Sequence, residues 1–94
     1  MSGDVDPAFF ERLHRRAREL ISTGVLPSAA PDKLFGGPGS RSACALCGVP
    51  ILLTEVEYEL EYRAVDAARD SSSPRLIRFH LPCYAIWAYE RVRP

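Results

Sequence analysis

The chain has 94 residues, enough for one small domain or a small domain with an arm. Its 12 Lys+Arg balance 12 Asp+Glu, which argues against a protein whose main task is to coat nucleic acid. No apolar run approaches the roughly 18 residues of a membrane helix, and the polar, acidic start Ser2-Gly3-Asp4-Val5-Asp6 is not expected to act as a signal peptide.

The first predicted element is an amphipathic helix over 7–23. Asp6 is suited to the N-cap, and Pro7 to the first helical position, where its missing N–H costs nothing. Phe9, Phe10, Leu13, Ala17, Leu20 and Ile21 fall on one arc of about 120°. Glu11, Arg12, Arg15, Arg18 and Glu19 take the other side, and Gly24 with Pro27 ends the run.

Residues 22–43 read as a long connector. Gly24, Pro27, Pro31, Gly36, Gly37, Pro38 and Gly39 make seven of its 22 residues. Leu34-Phe35 in its middle are expected to pin it to the core. The expected organisation is an N-terminal helical arm (1–24), a Gly/Pro-rich connector (25–41) and a C-terminal module (42–94).

Within that module, residues 51–63 alternate. Leu52, Val56, Tyr58, Leu60 and Tyr62 share one parity and Glu55, Glu57, Glu59 and Glu61 the other. Such period-2 patterning predicts a half-buried strand. Its acidic face is expected in solvent or offset by Arg75 and Arg78. Residues 66–74 predict a loop, and Leu76–Phe79 a return strand. A helix follows over 82–93, with Pro82 in its first turn. Tyr84, Ala85, Ile86, Trp87, Ala88, Tyr89 and Val92 make it apolar nearly all round. One side can cover the hairpin, and the stripe of the 7–23 helix is the expected cover for the other. The predicted fold class is α+β.

Three cysteines fit poorly with a secreted disulfide framework and suit a cytoplasmic chain that uses Cys for metal or reactivity. Cys44-Ala45-Leu46-Cys47-Gly48 is a C-x-x-C, and His80-Leu81-Pro82-Cys83 follows after a gap of 32 residues. Cys44, Cys47, His80 and Cys83 form a Cys3His set that suits one tetrahedral Zn²⁺. With four protein ligands such a site is closed, hence structural. A redox dithiol is the competing reading, but a strand rather than a helix follows Cys47. Three buried thiols with an unrelated histidine are the other. No nucleophile–base pair is evident, and His14, the other histidine, lacks the Glu two residues on that a zinc deaminase requires. The chain is therefore expected not to be an enzyme.

A C-x-x-C-G knuckle, a hairpin and a helix carrying the last ligand together resemble the treble-clef zinc finger. Phe79-His80-Leu81-Pro82-Cys83-Tyr84 resembles the segment at the first zinc of LIM domains. The likeness covers residues 42–93 and implies zinc on Cys44, Cys47, His80 and Cys83. The 32-residue gap exceeds that of LIM domains, and no further C-x-x-C follows Cys83. Phe35-Gly36-Gly37-Pro38-Gly39, the Glu55–Glu59 run and the F-H-x-x-C-x-x-x-W ending are also similar to small bacterial zinc-finger proteins. Treble clefs serve several functions, so the likeness names none.

Other candidates are weaker. Gly36–Gly39 could cradle an anion, but it lacks a P-loop ending and reads more simply as a turn. Arg12, Arg15, Arg16 and Arg18 could grip phosphates, or form a solvated face balanced by Glu11 and Glu19. The leading expectation is a zinc-stabilised module that binds a protein partner, including a homodimer through the N-terminal helix. Nucleic-acid binding by the helix arginines is the alternative.

Overall fold

A computed structural model describes residues 7–63 and 74–93. In chain order it holds α1 (Pro7–Ser22), β1 (Lys33–Pro38), β2 (Val56–Tyr62), β3 (Arg75–His80) and α2 (Leu81–Arg91). The fold is α+β: one antiparallel sheet of order β1-β2-β3, with α2 packed on β2 and β3 and α1 packed on α2. Asp6 and most of the 66–74 loop lie outside the described residues.

α1 forms where the apolar stripe predicts it. Gly24, at φ +82, donates to the Ile21 carbonyl and reverses the chain in the left-handed region that glycine tolerates. Leu13 and Ala17 are buried and Leu20 and Ile21 pack beside them. Phe9 and Phe10, on the same stripe, stay exposed one turn earlier.

The connector differs from expectation. Residues 33–38 are not an irregular loop but a strand, paired with β2 from Lys33↔Glu61 to Pro38↔Val56. Gly36 is needed there because a Cβ would sit 3.0 Å from the Tyr58 ring. Leu34 and Phe35 are not core pins: both are exposed, and backbone pairing holds the segment instead. The strand predicted over 51–63 also starts late. Glu55 accepts from the Leu52 N–H through its carboxylate and donates its own N–H to the Leu52 carbonyl, closing a turn before β2.

α2 packs on α1, β2 and β3, as its all-round apolar surface predicts. Trp87 is buried, stacks on Phe79 at 5.5 Å and donates its indole N–H to the Pro27 carbonyl at 2.9 Å. Tyr84 lies 4.7 Å from Tyr58, whereas Tyr89 is exposed. Phe79, Leu46, Ile51 and Leu60 complete the core, which therefore joins sheet, helices and the Cys44–Cys47 loop.

Candidate metal centre

Cys44 and Cys47 sit in a tight loop closed by the Ala43↔Pro50 bridge. The Cys44 N–H donates to the Val49 carbonyl and the Gly48 N–H to the Cys44 carbonyl. Gly48 has φ +79, a backbone that an L side chain strains. The loop docks on β3 because the Ala45 N–H donates to the Arg78 carbonyl, two residues before His80. His80 ends β3 and caps α2, and Cys83 follows in the first helical turn. The positive end of the helix there favours a thiolate.

These segments bring one ligand atom each from Cys44, Cys47, His80 and Cys83 within 4.8 Å of one another. Cys47 Sγ and His80 Nδ1 are 3.4 Å apart. A tetrahedral zinc with ordinary Zn–S and Zn–N bonds places two such ligands about 3.5 Å apart. The donor set and this edge length both fit zinc.

The surroundings fit as well. Backbone N–H groups of Cys47, His80 and Leu46 point to the Cys44 sulfur, and that of Val49 to Cys47. The Cys83 thiol donates to Cys44 and, with those N–H groups, outweighs burial, so Cys44 is held down at about 4. The same hydrogen bond pushes Cys83 up, and burial raises Cys47. Three adjacent sulfurs cannot all ionise alone, and a bound dication is what lets them do so. On the far side of the imidazole, His80 Nε2 lies 3.3 Å from Glu55 Oε1, which would fix the ring with Nδ1 toward the metal. The sequence alternation alone places Glu55 in a solvated row. Its place three residues after Leu52, just ahead of β2, was the available signal.

The rest of that acidic row is not simply solvated. Glu57 is buried, accepts from the Ser40 N–H and hydroxyl at 3.0 and 2.7 Å, and lies 3.4 Å from Arg78. Arg78 also pairs with Glu59 at 2.7 Å, as expected, but Arg75 donates to the Val25 carbonyl instead.

Two of the four α1 arginines considered for phosphates make tertiary contacts. Arg16 Nε donates to the Leu46 carbonyl inside the Cys44–Cys47 loop at 2.6 Å. Arg18 lies 3.1 Å from Glu90 Oε2, which also accepts from His14 Nδ1 at 2.6 Å. His14 is thus apart from the metal cluster. The Glu90 side chain is 1% exposed, a burial that no local sequence pattern marks. Burial pushes its carboxyl up, but the His14 hydrogen bond and the Arg18 charge prevail and hold it below the usual range. Gly36–Gly39 forms no anion cradle: its first three residues are strand, and Gly39 is packed against the carbonyls of Leu52 and Ile51.

Among the described residues no helix is long and apolar enough to cross a membrane. No protein-family model, no curated protein and no solved structure matches the chain. The functional reading therefore rests on its own residues.

Proposed function

We propose that the chain is a non-enzymatic binding module whose Cys3His site holds one zinc structurally. The carrying observation is the convergence of Cys44, Cys47, His80 and Cys83 on one point. Four protein ligands fill a tetrahedral ion and leave no position for substrate. The order of knuckle, sheet and ligand-bearing helix supports the treble-clef reading, with a first zinc site like that of LIM domains.

The partner is a protein. Leu34 and Phe35 on β1, Leu52 and Leu53 in the turn before β2, and Val56 at the start of β2 are exposed. Exposed apolar side chains suit protein contact better than phosphate contact. The nucleic-acid alternative is weakened by the engagement of Arg16 and Arg18 within the fold. The test uses the zinc-loaded chain as bait and measures saturable binding of each purified candidate. Protein binding by the zinc-loaded chain, lost in Cys83→Ser, is expected. A strict monomer that binds no protein, or affinity for nucleic acid that falls steeply with salt, would overturn the reading.

A further inference from the structure

We propose that β1 is a self-pairing edge, on which two copies of this chain join antiparallel with Phe35 of each on the two-fold axis. This rests on the binding-module reading and names its partner as a second copy of the chain.

The direction of the backbone groups follows from the register. The Arg78 carbonyl accepts from Ala45, so it is turned away from β2. Antiparallel ladders alternate, so Ile77 and Phe79 bond to their β2 partners Leu60 and Tyr58. Glu57 and Glu59 are left to bond Gly37 and Phe35, and the Glu61 carbonyl at the end of the ladder accepts from the Asp32 N–H. The Gly39 N–H on the Glu55 carbonyl continues that pattern. Leu34, Gly36 and Pro38 therefore turn their backbone groups outward. Pro38 fits this position because the N–H it lacks would face out. Among the described residues nothing bonds to this edge, and α2 reaches β2 and β3 but not β1. Leu34 and Phe35 are left 45% and 48% exposed on opposite faces of the strand.

A second β1 fits this edge in one register better than in its neighbours. With Phe35 opposite Phe35 of the partner subunit, the Leu34 N–H meets the carbonyl of Gly36 of the partner subunit. The Gly36 N–H meets the carbonyl of Leu34 of the partner subunit. Symmetry repeats both bonds, so every outward group of Leu34 and Gly36 is used. Shifting the axis to Gly36 sets Leu34 against Pro38 of the partner subunit and leaves the Leu34 carbonyl without a donor.

Side chains complement each other in the same register. Leu34 lies beside Gly36 of the partner subunit, over which that subunit's own tyrosine ring is packed. Lys33 lies beside Gly37 of the partner subunit, and no like charges are opposed. The two Phe35 rings meet as a cross-strand aromatic pair. The formal net charge of zero adds no long-range repulsion between copies. So short a strand covers well under the roughly 800 Å² per partner of a standard interface, which makes the dimer reversible.

Sedimentation of the zinc-loaded chain from about 10 μM to 1 mM should show a monomer–dimer equilibrium. Phe35→Lys, with two charges on the axis, should weaken it about tenfold or more with zinc content and circular dichroism unchanged. Phe35→Cys should cross-link on mild oxidation, since directly opposed Cα atoms about 4.5 Å apart suit a disulfide. Gly37→Cys, opposite Lys33 of the partner subunit, should not. A monomer throughout the range, or a dimer indifferent to Phe35→Lys as an α1 interface would give, overturns the proposal. A monomer that still binds a foreign protein overturns self-pairing alone and leaves the binding-module reading standing.

Discussion

Glu90 gives the sharpest energetic prediction. Its carboxylate is 1% exposed, accepts from His14 at 2.6 Å and Arg18 at 3.1 Å, and has Arg93 only at 3.7 Å. Removing His14 and Arg18 together strands a charge out of water. Breaking a buried pair in this way costs about 3–5 kcal/mol. With a urea dependence of about 1–2 kcal/mol/M for a chain of this size, the midpoint should fall by roughly 1.5–5 M. In a Glu90→Leu background the same pair of substitutions should cost about 1 kcal/mol or less. The two basic side chains are already 32% and 50% exposed and rehydrate easily. The assay is urea unfolding of His14→Ala/Arg18→Ala in both backgrounds, all zinc-loaded at neutral pH. Equal costs in the two backgrounds would refute the claim that a buried charge organises the α1–α2 contact. The pH dependence carries a definite sign. Glu90 is held below the usual carboxylate range, so its contribution is complete above that range and lost as pH falls through its folded value. Compared with a Glu90→Gln protein carrying the same zinc site, the wild type should lose more stability on acidification.

Packing of Gly39 predicts that Gly39→Ala destabilises by about 2 kcal/mol or more in the same assay, because the new Cβ overlaps the Leu52 and Ile51 carbonyls. Gly37→Ala meets nothing within 4 Å and should stay within about 0.5 kcal/mol. Glu55→Gln, which weakens the hold on His80 Nε2, should lower zinc affinity about tenfold in a competition titration with a chelator. Unchanged affinity would remove Glu55 from the site.

Much of the framework was legible because it depends on local signals. The α1 stripe, the period-2 run of β2 and the paired two-residue gaps of the four candidate ligands each reflect a geometric period. β1 was hidden because Gly36, Gly37 and Pro38 are turn formers by propensity. Its strand state comes from pairing with β2, from the Tyr58 ring over Gly36 and from the outward direction of the Pro38 nitrogen. Glu90 was hidden for a related reason. A glutamate near the end of a helix looks solvated until α1 brings His14 and Arg18, more than 70 residues away, against it. Arg16 likewise reads as a surface charge, and only the docked α1 shows that it supports the Leu46 carbonyl between the two knuckle cysteines. In each case the missing information was a long-range contact that cancels a local preference.

The most direct test is metal content coupled to folding. The purified chain should hold one zinc, lose it to a chelator and lose its cooperative unfolding transition with it, and Cys83→Ser should do the same without chelator. A metal-free chain that still unfolds cooperatively at the zinc-loaded midpoint would contradict the account.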